Sequence, residues 1–350
     1  MEHLEYESDI APEDSKKITI PYHELRSLGY LRSEEKPSFS AVDDEYCSRQ
    51  VVEGDFGQGL IETWPIFSGI EFVYYDMNTD YSFPETVEDD HILEILYCRE
   101  GRCEVWGSSH HYYYMQAEDL MIYERHGKLG LSAFPVDRFL GMSIRINMNP
   151  ATRDFTGILK NFSIHLPDIY SAVAAKGVLP LNDCEAAKHI FRELEEAHGE
   201  FRPDFLKLKL IELLLVLSDP ATLSQPSSSM VLTSYQTAVV KDIQSFMVER
   251  FDEHHTVLEL SNKFHFSATS LKQWFRIIYG TSIYAYLKNY RMDVARALLR
   301  HTDYSILQVA LYVGYENPSK FSSVFRDEFG VTPKRYRLSG LPEPEMEKAT

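Results

Sequence analysis

The chain has 350 residues, 44% apolar and 25% charged, with four cysteines and a formal net charge of -18. This excludes collagen, mucin-like and wholly disordered chains, and the length calls for about two to three domains. The longest apolar block, Leu206–Leu217, is interrupted by Lys207, Lys209 and Glu212, so it falls short of the roughly 18 apolar residues of a membrane span.

The start of the chain is acidic (Glu2, Glu5, Glu7, Asp9) and has neither the basic nor the apolar region of a signal peptide. Four cysteines do not make a disulfide framework. A cytoplasmic protein without a membrane partner is expected. The charge is unevenly spread: residues 1–234 carry a net -20, residues 235–337 a net +4, and residues 338–350 a net -2. An acidic body joined to a mildly basic end is an asymmetry that points towards a nucleic-acid partner without establishing one.

Residues 1–45 are expected to be an acidic, partly mobile lead-in. Residues 46–150 show short β-branched and aromatic runs: Phe72–Tyr75, Ile92–Tyr97 and Gly141–Ile146. A hairpin is expected from Glu94–Cys98 to Cys103–Trp106, turning over Arg99-Glu100-Gly101-Arg102. Strands follow at His111–Met115 and Leu120–Tyr123, so this part should form a small sandwich or barrel. The hairpin would set Cys98 opposite Cys103. That pair reads either as a redox-sensitive disulfide or, as expected of a cytoplasmic protein, as two reduced thiols.

A barrel lined by Tyr74, Tyr97, Trp106, Tyr112 and Tyr114, with His91, could hold an unknown small-molecule effector by stacking; the same aromatics also suit an ordinary core. His91, His110 and His111 contain no His-x-His and have no well-placed carboxylate. No metal, no cofactor and no enzyme activity are expected.

Residues 151–219 change to helical periodicity. Leu206, Leu210, Leu213, Leu214 and Leu217 share one helix face, suited to packing on the barrel or on a second copy. Residues 220–234, Ser/Pro-rich over 221–229, read as a linker. Residues 235–337 read as helical, and 338–350 as an acidic tail.

The helical block repeats itself. Phe275-Arg276 matches Phe325-Arg326, Gly280 matches Gly330, Tyr286 matches Tyr336, and upstream Leu260 matches Val309 at an offset of 49. Each copy reads helix, turn, helix. Ser267, Ser305 and Asn317 are candidate N-caps, the last followed by Pro318 at the first helical position. His265 and Gly314 fall at the turns, where a left-handed residue is required. Ile283–His301 lacks Gly and Pro and would span about 28 Å as a helix. That is close to the ~34 Å separating two major-groove segments on one face of DNA.

The run Ser-Ile-Leu-Gln-Val-Ala-x3-Gly-Tyr-x5-Phe-x3-Phe-Arg-x3-Gly-Val-Thr-Pro-x2-Tyr-Arg, Ser305 to Arg337, resembles the signature of AraC/XylS-type transcription regulators. The resemblance covers roughly residues 235–337. It departs at His265, where the family often has Gly. It implies an α+β multidomain chain: an N-terminal cupin-like β-barrel with a helical dimerisation segment, and a C-terminal all-α domain with two helix-turn-helix units.

The implied function is a ligand-responsive, sequence-specific DNA-binding transcription regulator that acts on promoter DNA as a homodimer, answers to an unknown small-molecule effector and has no membrane partner. Candidate base contacts are Thr269, Lys272 and Gln273 in the first unit and Ser319, Lys320 and Ser323 in the second. Candidate phosphate contacts are Arg276, Arg326, Lys334, Arg335 and Arg337. The alternatives are a small-molecule-binding cupin-like protein, or an interaction adaptor whose helices no longer bind DNA.

Overall fold

A computed structural model describes residues 38–339, except 44–45, 55–56, 80–90, 108–110, 126–129, 137, 150–158, 160, 176, 198–202 and 225–229. The lead-in before residue 38, His110 and the acidic tail from residue 340 lie outside the described residues.

The N-terminal part is an antiparallel β structure. Its strands are β1 (Ser38–Asp43), β2 (Ser48–Gly54), β3 (Gly57–Phe67), β4 (Ile70–Thr79), β5 (Ile92–Gly107), β6 (His111–Gln116), β7 (Leu120–Arg125), β8 (Gly130–Ala133) and β9 (Phe139–Asn147). Two short strands, β10 (Val178–Pro180) and β11 (Met230–Thr233), come from further along the chain. The main ladder runs β1-β2-β3-β4-β9-β5-β6-β11, with β7 and β8 on β5 and β10 on β7. β1 therefore extends the sheet from within the expected lead-in.

The hairpin expected over residues 99–102 does not form. The chain runs on through these residues as the single 16-residue strand β5. Its first half pairs with β9 and β7, and its second half pairs with β6 and β8. Gly101, at φ +79, bends the strand without reversing it. The carbonyl of Arg138 lies where a Cβ would stand, so no other residue fits without displacing backbone. Cys98 and Cys103 consequently lie on one strand, both fully buried and unbridged.

β5 belongs to two layers. Val73, Tyr75, Met77, Leu96, Met121 and Phe139 face the second layer. Phe72, Tyr74, Leu93, Ile95, Tyr97 and Ile144 face a helical layer. That layer consists of α1 (Leu166–Ala174), α2 (Glu185–Glu196) and α3 (Pro203–Leu217). Burial on both faces explains why these strands read as continuous apolar runs. The ladder ends at β1 on one side and β11 on the other, so the closed barrel expected from sequence is replaced by an open two-layer sheet.

The Leu face of α3 (Leu206, Leu210, Leu213, Leu214, Leu217) is buried against this protomer's own sheet and helices. It is therefore not a face left open for a second copy. The two ends of the expected linker are structured, while residues 225–229 lie outside the described residues. They contain α4 (Pro220–Ser224) and β11, which pairs with β6 from Met230↔Tyr114 to Thr233↔His111.

The C-terminal helices are α5 (Ser234–Glu249), α6 (Val257–Phe264), α7 (Ala268–Tyr279), α8 (Ile283–His301), α9 (Ile306–Tyr312), α10 (Pro318–Phe329) and α11 (Pro333–Ser339). They form two cores. One gathers Val240, Ile243, Leu260, Leu271, Phe275 and Ile278, and it extends onto the sheet through Tyr114 and Leu232. The other gathers Leu298, Val309, Val313, Phe321 and Phe325. Among the described residues, no helix is long and apolar enough to cross a membrane.

Candidate nucleic-acid interface

The first helix pair is built by local rules. Thr256 caps α6 in a reciprocal capping box with Glu259. α6 ends at His265, whose φ of 60 and ψ of 41 are left-handed, as the turn requires. The Phe266 amide then donates to the Ser261 carbonyl at 3.0 Å, and the Ser267 hydroxyl accepts from the Ser270 amide to start α7. Leu271, Phe275, Ile278 and Tyr279 are buried, and Trp274 packs edge-on against Phe266. Thr269, Lys272, Gln273 and Arg276 lie exposed on the opposite face.

The second pair repeats this geometry. Ser305 forms a capping box with Gln308 at the start of α9. Gly314 takes the turn at φ +77, and the Tyr315 amide donates to the Ala310 carbonyl at 2.8 Å, the counterpart of the Phe266 bond. Asn317 accepts from the Ser319 and Lys320 amides, with Pro318 at the first helical position. Phe321 and Phe325 are buried, while Ser319, Lys320, Ser323 and Arg326 are exposed. Both second helices end on a glycine with φ 73 and ψ -7, Gly280 and Gly330.

α8 joins the pairs as an uninterrupted helix of 19 residues, about 28 Å long. Lys288 on α8 pairs with Glu328 on α10 at 2.7 Å. Arg291 donates to the Glu253 carbonyl at 2.7 Å, so it braces the turn that follows α5. Lys334 and Arg335 on α11 are exposed. Arg337 differs from the other phosphate candidates: it is half-buried and its Nε donates to the Leu299 carbonyl at 3.1 Å. That bond ties α11 to α8 and turns the guanidinium away from solvent.

A helix-turn-helix domain family matches residues 260–339, from within α6 to the end of α11. The C-terminal part of the chain is an AraC-type helix-turn-helix domain. The chain is 30% identical over 138 residues to the HTH-type transcriptional regulator ExsA of Pseudomonas aeruginosa, covering 39% of this chain and 49% of that protein. It is 33% identical over 104 residues to the HTH-type transcriptional activator RhaR of Yersinia pseudotuberculosis, covering 30% and 36%. The matched stretches thus span half or less of these curated relatives. An AraC-type regulator structure from Chromobacterium violaceum is similar at 26% identity, with 31% of this chain and 96% of that chain covered and a TM-score of 0.29.

The structure does not bring the six effector-pocket candidates together in one place. Tyr74 and Tyr97 face the helical layer, where Tyr97 stacks on Phe191 with centroids 5.2 Å apart. His91 is exposed and bonds Glu124 at 2.8 Å. Trp106 stacks on Tyr112, and Tyr112 and Tyr114 pack against the AraC-type domain. The sheet pleat decides this: neighbouring residues point to opposite faces, and with both faces apolar the sequence gives no sign of which is which.

The residues that do converge between the layers were not singled out from sequence. Glu94 accepts from Tyr75 at 3.3 Å and from Arg145 at 3.2 Å, with Arg125 at 3.8 Å. Burial, then the neighbouring Arg145 charge, push the Arg125 guanidinium down to about 10. Glu94 Oε2, Tyr123 Oη and Ser143 Oγ are buried without a hydrogen-bond partner among the described residues. A glutamate at the centre of an apolar strand, Ile92-Leu93-Glu94-Ile95-Leu96, was the available signal.

Proposed function

We propose that this chain is an effector-responsive, sequence-specific DNA-binding transcription regulator. Its two helix pairs would enter two adjacent major-groove segments, α7 in one and α10 in the other. The observation that carries this reading is the duplicated exposed face: Thr269, Lys272 and Gln273 on one helix, Ser319, Lys320 and Ser323 on the other. Lys272 and Lys320 suit guanine O6 and N7, and Gln273 suits adenine. Arg276, Arg326, Lys334 and Arg335 suit phosphates. The relatives ExsA and RhaR, both described as transcription regulators, support the same reading.

Residues 46–150 are the proposed sensor, with the helical segment 151–219 packed on it, and residues 235–337 the DNA-binding domain. The sensor's effector is an unidentified small molecule. A homodimer is proposed through surfaces other than the buried Leu face of α3.

In vitro selection of random duplex DNA by the full chain at two salt concentrations tests the reading. Enrichment of a motif with two parts about one helical turn apart supports it, with affinity falling steeply as salt rises. A folded chain that binds no duplex at low salt would replace it with the adaptor reading.

A further inference from the structure

The first recognition helix is held from outside its own domain. Arg102, just past the bend of β5, is 8% exposed. Its Nε donates to the Ile278 carbonyl at 3.0 Å and its Nη2 to the Ile277 carbonyl at 2.6 Å. These carbonyls belong to the last turn of α7, where a helix has no amides of its own left to satisfy them. A cation at this end also faces the negative pole of the helix dipole. The Arg102 side chain lies against Gly280, 3.0 Å from where a Cβ would be.

The surrounding contacts make this a built junction. Glu104, two residues on, pairs with Lys241 of α5 at 2.9 Å. Tyr114 donates to Glu104 at 2.8 Å and lies 3.0 Å from the Thr237 hydroxyl. β11 closes the side by pairing with β6. The repeat supplies an internal comparison. Gly330 ends α10 in the same conformation as Gly280, yet nothing lies within 4 Å of its Cβ position.

We propose that Arg102 is a positioning residue for DNA reading by the first helix pair: the N-terminal sheet sets the position of α7 through it, while α10 is left free. This rests on the DNA-binding reading above. It follows that a shift of the β5 bend, where Gly101 has no room for a side chain, is transmitted to α7. A methionine in place of Arg102 keeps most of the stem but donates to neither carbonyl. A lysine keeps the charge but lacks the planar fork that reaches both.

The test uses the full chain and the duplex that the wild type enriches from a random pool, with each half-site scrambled in turn. The half-site read by α7 is the one whose sequence preference Lys272→Ala relaxes. Arg102→Met should lower affinity for the intact duplex about tenfold. Scrambling the α7 half-site should then cost little further, while scrambling the other half-site costs as much as in the wild type. Hydrogen exchange of the Gly280 amide should rise about tenfold, with Gly330 and the β9 amides unchanged. Arg102→Lys should not restore the wild-type pattern.

Equal losses at both half-sites, no change in either half-site, or full rescue by Arg102→Lys would each overturn the proposal. If Arg102→Met disturbs the β9 amides, Arg102→Lys carries the comparison. If the wild type enriches no duplex, the DNA reading fails by itself, and unchanged exchange at Gly280 would separately remove Arg102's hold on α7.

Discussion

Replacing Gly314 by alanine should cost far more than the same change at Gly330, although both glycines are left-handed, at φ +77 and +73. The conformational penalty is common to both and amounts to about 1 kcal/mol. The surroundings separate them. At Gly330 a Cβ enters open space, so the change should cost about 1 kcal/mol and no more. At Gly314 the Cβ would fall on the backbone carbonyl of Asp252, which cannot rotate away as a side chain can. Overpacking against backbone adds about 1–3 kcal/mol, for a total near 3 kcal/mol. Gly280 should fall between them, because its neighbour is the movable Arg102 guanidinium at 3.0 Å. Native-state hydrogen exchange of the buried α8 amides, such as Ala295 and Leu298, reads these differences within the C-terminal domain. Equal costs at Gly314 and Gly330 would refute the reasoning, since only the contact with Asp252 distinguishes them.

Further outcomes follow from the same geometry. Lys272→Ala or Gln273→Ala should cost about 1–3 kcal/mol of DNA affinity and relax the preference at one position of the selected motif, measured by competition with single-base variants. Arg335→Ala should weaken all duplexes alike and lower the salt slope by about 1, whereas Arg337→Met should leave that slope alone and cost about 1 kcal/mol of stability through the lost Leu299 bond. Asn317→Ala should destabilise by about 1 kcal/mol, because its side chain caps two amides at the start of α10; denaturant unfolding checks this.

Burial pushes the Glu118 carboxyl up, but hydrogen bonds from Arg192 and the Arg192 and Arg99 charges outweigh it and hold the group below its usual value. A depressed carboxyl stabilises above its unfolded pKa and loses that contribution as pH falls through the folded one. Glu118→Gln should therefore lower thermal stability at neutral pH, with the difference vanishing in acid; a difference that persists unchanged in acid would contradict it.

The C-terminal domain was legible from sequence because its determinants are local. A helix is specified by neighbours three or four residues apart and by its caps. Ser267, Ser305, Asn317, His265 and Gly314 all serve as the pattern requires, and Ile283–His301 is the connector helix from end to end. The Leu face of α3 was readable for the same reason, though not what covers it.

The N-terminal part was legible only as strands. Its layers bury both faces of β4, β5 and β9, so alternation cannot say which tyrosine faces which layer. Whether β5 turns or runs on at Gly101 depends on Arg138, Phe139 and the strands flanking it, not on the turn-like run Arg-Glu-Gly-Arg. Likewise, nothing in the sequence near Arg102 announces two carbonyls 175 and 176 residues away, nor near Met230–Thr233 that a linker will become a strand. Sequence determined what local hydrogen bonding and helical period can encode; strand partners, sheet faces and the junction between the domains were decided by long-range pairing, which only the tertiary structure contains.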